Sequence, residues 1–218
     1  MPRTSEIASQ PLVEKTLVVA ITRLCKVEPR FQAVVDNHGI PSLRAATGGL
    51  EGLLMIVTEQ FLSLAAAKAI WTRLVARLHP FDAQHILACP AEELLELGLS
   101  RAKAKSFQGL AQASISGDFN AAVLCTLDDD SARKHLLALP GVGPWTADVY
   151  MLSCLLRPDA WPWGDVALQN AAQDLFAFNQ RPDKPAMIAL GENFKPYRAV
   201  AARLLWAHYR GMKAMPQA

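Results

Sequence analysis

The stretch LPGVGPWTADVY, Leu139 to Tyr150, puts two glycines and two prolines in front of a run with helical character. Glycine lets a chain turn sharply and leaves no Cβ to bar close approach. Pro144 suits the first turn of a helix, where its missing N–H costs nothing. The N–H groups at the start of that helix, with the positive end of its dipole, form a seat for an anion. A turn used only for packing draws on the same residues, so the context has to choose. Further on, WPWGDVAL sets Asp165 directly before a helical stretch opening at Val166. From the residues alone Asp165 is an N-cap, and a helix N-terminus favours its ionised form.

Other chemistry is sparse. Cys25, Cys89, Cys125 and Cys154 are scattered with no CxxC pair, which argues against a disulfide frame, a zinc site or an iron–sulfur cluster. His38, His79, His85, His135 and His208 lack metal-ligand spacing. No carboxylate cluster suits a two-metal nuclease. The net charge of +2 says little, but Asn193 to Ala218 carries Lys195, Arg198, Arg203, Arg210 and Lys213 without an acid. That run is either a solvated helix face with a tail or a basic surface that meets phosphate.

The elements that must position these residues are helical almost throughout. LVEKTLVVAITRLCKV carries a one-sided apolar stripe, and Pro29 opens a short helix, RFQAVVDN, that Gly39 stops. After Gly48 and Gly49 a helical stretch runs from about Leu50 to Leu78, as one helix or two. PAEELLELGLSRAKAKSFQGLAQAS reads as a helix stopped at Gly98, then a Ser100-capped helix carrying Lys103 and Lys105. DDSARKHLLAL has acids first and bases later, in keeping with a helix dipole. A helix from Pro144 to about Arg157, the loop PDAWPWG, DVALQNAAQDLFAF and a last helix after Pro196 complete the chain. Strand alternation and internal repeats are absent. The expectation is an all-α protein with many short helices.

The composition is 51% hydrophobic, yet no uninterrupted apolar stretch reaches the ~18 residues of a membrane span. The opening MPRTSEIASQ lacks the basic-then-apolar order of a signal peptide. A cytoplasmic protein with no membrane partner is expected, and 218 residues suffice for a real core.

SARKHLLALPGVGPWTADVYML is thus a helix-hairpin-helix, which points to sequence-independent contact with a DNA backbone. With Asp165 following after a Pro-containing loop, the chain resembles the helix-hairpin-helix (HhH-GPD) DNA glycosylase superfamily. Within it the chain resembles the 3-methyladenine DNA glycosylase II family. The resemblance rests on EQFLSLAAAKAI, LGLSRAKAKSFQGLA, LPGVGPWTADVY with WPWGDVAL, and FKPYRAVAARLLW, and spans roughly Leu17 to Arg210. It implies one compact domain without the accessory N-terminal β-rich domain of some members. Two helical lobes with a central cleft are expected, one near 50–128 and the other near 12–49 plus 129–213.

The resemblance also assigns roles. Asp165 matches the catalytic aspartate. A fixed carboxylate can stabilise the oxocarbenium character that builds on the sugar, while orienting or deprotonating water. Members that also cut the strand use a lysine where this chain has Trp145, so the imine route is not open from this position and a base-removing enzyme without lyase activity is implied. Trp145 and Trp206 match base-pocket positions, Trp163 lies near Asp165, and Val149 stands where several relatives carry a second pocket aromatic. Aromatic faces suit a cationic, alkylated purine. In EQFLS the intercalating side chain falls at Phe61 beside Gln60, and a buried Phe at a helix corner is the competing reading. Gly141, Val142, Gly143 and Thr146 belong to the DNA-binding hairpin. Arg198 matches a recurrent arginine that serves either DNA contact or the helical core. Carbonyls near Leu139 and Gly141 would hold a monovalent cation, with no other cofactor required.

The implied partner is double-stranded DNA with damaged bases, met by a monomer. Two rivals remain. The same fold would act on deaminated or oxidised bases, although no second acid or lysine is seen beside Asp165 to help a neutral leaving group. Alternatively the chain is a non-catalytic module that binds lesions or structured DNA.

Overall fold

A computed structural model of the chain describes residues 10–43 and 46–214. The reading of the opening residues as free of a signal pattern falls, apart from Gln10, outside the described residues. Thirteen α-helices and no strand are found among the described residues, as the periodicity requires. In chain order they are α1 (Glu14–Val27), α2 (Arg30–His38), α3 (Gly49–Glu59), α4 (Leu64–Arg77), α5 (Ala83–Ala88), α6 (Ala91–Glu96) and α7 (Arg101–Ser116). There follow α8 (Ala121–Thr126), α9 (Asp129–Leu137), α10 (Pro144–Ser153), α11 (Val166–Leu175), α12 (Lys184–Glu192) and α13 (Arg198–Ala214).

Local signals explain most boundaries. The long stretch after Gly49 breaks in two, and the Ser63 hydroxyl caps α4 by accepting the Ala66 N–H. Ser100 caps α7 through Lys103 N–H, as its sequence context suggests. The short helices α5, α8 and α12 escaped the periodicity reading, and α5 and α8, with six residues each, offer too few apolar positions to show a period. Their caps were legible: Asp82, Asn120 and Asp183 each accept a first-turn N–H. Helix α10 ends at Ser153, short of the expected Arg157, and Leu156 just beyond it has φ 55°, a left-handed backbone that no helix continues through.

The chain gathers into two compact units, one of residues 46–155 and the other of 1–45 with 156–218. This division differs from the expected lobes, which assigned 129–155 to the terminal one. The reason is hydrogen bonding between segments distant in sequence. Arg133 of α9 grips Asp148 of α10 at 2.7 Å, while the Tyr150 hydroxyl donates to Gly49 O at 3.4 Å and Ala46 N–H donates to Ser153 O at 3.0 Å. Asp148 and Tyr150 are buried and structural.

The unit of residues 46–155 centres on Leu53, Leu54 and Val57 of α3, Phe107 and Leu110 of α7, and Tyr150 and Leu152 of α10, all without exposure. In the other unit α13 is the buried axis. Ala199, Val200, Ala201, Ala202, Leu204 and Leu205 are fully enclosed, their small side chains letting α11 and α2 approach closely. Phe31 meets Phe176 and Phe194 edge-on at 5.9 and 5.3 Å. Arg203 is buried with its guanidinium on Leu43 O, Arg198 pairs with Asp159, and Lys195 pairs with Glu192. Three of the five charges in the acid-free run are therefore buried or answered by acids, while Arg210 and Lys213 at the end of α13 are exposed. Among the described residues, no helix is long and apolar enough to cross a membrane.

Candidate active site

Asp165 closes the loop PDAWPWG and caps α11 in extended geometry, φ −74° and ψ 119°. The loop is pinned by its own backbone: Trp163 N–H donates to Trp161 O at 2.8 Å and Asp165 N–H to Pro162 O at 2.9 Å. Trp161 anchors it by burial and by an indole N–H that donates to Met187 O at 2.9 Å, a packing role. The Asp165 carboxylate stays half-buried. Its Oδ1 accepts the Leu168 N–H at 2.9 Å and the Trp206 indole N–H at 3.2 Å. Trp206 projects from the enclosed helix α13, so its ring is held by packing and its polar edge is aimed at the acid.

Trp163 is half-buried, and the Lys184 ammonium lies 4.7 Å from its ring centroid. One face of that indole thus already carries a cation. Arg198 opens α13 with its guanidinium turned on Asp159, at 3.0 and 2.7 Å to the two carboxylate oxygens. This paired geometry favours holding the helical core over reaching for phosphate.

In the unit of residues 46–155, α9 and α10 frame the hairpin. Val142 N–H donates to Leu139 O at 3.2 Å, which closes the turn. Gly141 has φ +76°, and a Cβ there would lie 2.0 Å from Ser106 Oγ, so the position admits only glycine. Gly143 is different. It is the N-cap of α10, with φ −94° that any residue adopts, and a Cβ would meet nothing within 4 Å. Neither conformation nor packing demands glycine there, and the bare backbone lies at a helix start with no side-chain cap. That is the arrangement an anion needs. The Val142 side chain is buried, which limits any DNA contact it makes to its backbone.

Phe61 follows α3 with φ 57° and its side chain fully exposed at 103% of the reference area. A buried corner residue is excluded. Beside it, Gln60 Nε2 donates to Thr146 Oγ1 at 2.7 Å and to Gly141 O at 3.3 Å. Thr146 is buried, so this pair ties the Phe61 turn to the hairpin and is directed inward. Trp145 is half-buried on the first turn of α10, and Val149 one turn later is 6% exposed.

A family model described as the HhH-GPD superfamily base excision DNA repair protein matches residues 54–196. The chain belongs to this superfamily. Among its relatives, the alkylbase DNA glycosidase-like protein mag2 of Schizosaccharomyces pombe is 27% identical over 161 residues, which are 72% of this chain and 76% of the relative. A DNA-3-methyladenine glycosylase of Bacillus subtilis is 28% identical over 132 residues, or 61% of this chain and 40% of that protein. A solved structure of the S. pombe 3-methyladenine DNA glycosylase Mag1 in complex with abasic DNA superposes with a TM-score of 0.82 at 22% identity, covering 91% of this chain and 98% of that one. At that identity the likeness is one of fold.

Three features of this HhH-GPD protein were not read from its sequence. They are the Lys184 cation on Trp163, the indole N–H of Trp206 on Asp165, and the reach of Lys103, whose Nζ donates to Thr58 O at 2.8 Å and Gln60 O at 2.7 Å. A signal existed for the last. Lysine in the first turn of a helix is set against the dipole, which invites a search for another partner.

Proposed function

We propose that this HhH-GPD protein is a monofunctional DNA glycosylase, acting as a monomer on duplex DNA. It extrudes an alkylated purine of the 3-methyladenine type, hydrolyses its N-glycosidic bond and leaves an abasic site. The observation that carries this reading is the fixed carboxylate of Asp165, held on Oδ1 by Leu168 N–H and Trp206 Nε1–H at the start of α11. As the base departs, positive charge builds on the sugar, and a carboxylate locked by two donors needs no reorganisation to stabilise it. The same group orients water for attack. A base alkylated at a ring nitrogen is cationic and leaves without an acid catalyst, so one carboxylate suffices.

The names of the relatives, several of which are 3-methyladenine glycosylases, support the substrate class. Trp145 supports the absence of lyase chemistry, because no amine stands at that position to form an imine. The bare Gly143 backbone at the start of α10 supports phosphate binding by the hairpin. Phe61, exposed beside the anchored Gln60, suits the gap left by the extruded base. Trp163 and Trp206, in the same unit as Asp165, are the proposed aromatic surroundings of the base. A monovalent cation fits the hairpin: Leu139 O accepts from Val142 N–H and Gly141 O from Gln60, and each carbonyl keeps a second lone pair. When bound it would add positive potential for phosphate.

Base release from methylated duplex DNA tests the reading, with wild type compared with Asp165→Asn. Asparagine keeps size and capping ability while losing the charge. Wild type should free 3-methyladenine and leave strands that break only after alkali. The variant should bind the same DNA and release at least about 100-fold less. Equal release by both would remove Asp165 from catalysis, and strand cleavage without alkali would overturn the monofunctional reading.

A further inference from the structure

We infer that Lys103 is a positioning residue for base extrusion, holding the Gln60–Phe61 turn in the shape that presents the Phe61 ring to the duplex. This inference rests on the proposed role of Phe61 as the intercalating side chain.

Lys103 is misplaced for its own helix. Ser100 caps α7, so Lys103 stands in that helix's first turn, where a cation opposes the dipole. Its side chain leaves its own helix and crosses to the carboxyl end of α3. There the ammonium takes Thr58 O at 2.8 Å and Gln60 O at 2.7 Å. Carbonyls at a helix end have lost their intrahelical donors, and a cation is the group that suits them. The ammonium is partly withdrawn from water, and burial pushes its pKa below the usual lysine value. A lysine in such a setting is held by its acceptors and is poorly placed to serve as a solvated surface charge.

What it holds is a strained turn. Phe61 has φ 57°, a region disfavoured for any residue with a Cβ, and its fully exposed ring gains nothing from packing in its own unit. The conformation must therefore be imposed from outside the residue. Lys103 imposes it from the side of α7, and the Gln60 amide does so from the hairpin through Thr146 Oγ1 and Gly141 O. The same helix face continues to the hairpin itself. Ser106 lies under Gly141, and Pro140 lies over Gly109, where a Cβ would come within 2.8 Å of its Cγ. Residues 103, 106 and 109 recur every three positions, so one stripe of α7 sets both the wedge turn and the phosphate-facing turn. The spacing between the side chain that enters the stack and the backbone that meets the phosphate is built into a single rigid element.

The test uses duplex DNA with 2-aminopurine beside a tetrahydrofuran abasic site, whose emission changes when a side chain enters the stack. Full-length wild type, Lys103→Met, Lys103→Arg and Phe61→Ala are compared at saturating protein, so altered affinity does not enter. Wild type should change the emission and Phe61→Ala should abolish the change. Lys103→Met should reduce it at least threefold with an unchanged melting temperature, and Lys103→Arg should restore more than half. The double variant should match Phe61→Ala alone, because Lys103 acts through Phe61. If Phe61→Ala is silent and Lys103→Met behaves as wild type, the inference is overturned while the wedge reading stands. If Phe61→Ala responds like wild type, the wedge reading falls and the inference falls with it. A Lys103→Met protein that loses the signal only because it melts at a lower temperature, with no rescue by arginine, also overturns it.

Discussion

The Trp206 indole N–H donates to Asp165 Oδ1 at 3.2 Å, and the same oxygen takes the Leu168 N–H at 2.9 Å. One donor comes from the backbone of α11 and the other from a ring locked on the enclosed helix α13. The carboxylate is therefore aimed by two elements far apart in sequence. Trp206, matched in sequence to a base pocket, has its polar edge committed to the acid. Replacing it by phenylalanine keeps most of the ring and deletes that donor. Single-turnover base release by Trp206→Phe should fall about ten- to a hundredfold, the worth of one hydrogen bond to a charged group. Affinity for duplex DNA should hardly move. A loss confined to binding would return the ring to a purely stacking role.

Asp165 has a second duty as a helix cap, and the two duties separate by substitution. Asp165→Ala removes both and should lower stability by about 1 kcal/mol as well as abolishing base release. Asp165→Asn should abolish release while melting near wild type. Equal melting of the alanine and asparagine proteins would mean that the cap at Leu168 N–H contributes nothing.

Gly141 is constrained twice, by φ +76° and by Ser106. Gly141→Ala should cost at least about 2 kcal/mol in thermal or urea unfolding. A second change, Ser106→Ala, should not rescue it, because the Ser106 Cβ itself lies 2.5 Å from the added methyl. Full rescue would show that the hydroxyl alone forbids a side chain there.

Arg198 faces Asp159, with the arginine side chain 24% and the aspartate side chain 19% exposed. Arg198→Gln should lower stability and leave the salt dependence of DNA binding as it is. A direct phosphate contact would instead reduce the slope of log K against log salt by about 1. The slope decides between the two.

Asp128 caps α9, the first helix of the hairpin, and the Ser131 N–H and hydroxyl hold its carboxyl below the ordinary aspartate range. A carboxyl whose folded pKa is depressed contributes its stability above the ordinary value of 3.8 and loses it as pH falls through the lowered one. The gap in melting temperature between wild type and Asp128→Ala should be full near about pH 6 and shrink below about pH 4. A gap that persists unchanged in acid would assign the effect to packing.

Local chemistry wrote much of this protein into its sequence. The helical class, the Ser100 cap, the break at the hairpin and the helix opening behind Asp165 each depend on residues a few positions apart, so periodicity, glycine and capping rules reach them. Tertiary structure alone decided the rest, because it depends on partners far away in the chain. Asp159 answers Arg198 and the core encloses Arg203, so the middle of an acid-free run of sequence serves the fold instead of a basic face. Arg133, Asp148 and Tyr150 drew the hairpin into the unit of residues 46–155. Phe61 was legible as an aromatic at a corner, but burial and exposure were equal readings until its backbone was seen in the left-handed region with the ring in solvent. Lys103 was legible as a lysine set against the dipole in the first turn of a helix, but its partners were not. Its reach to Thr58 and Gln60 requires two helices to lie side by side, and no spacing along one chain encodes that.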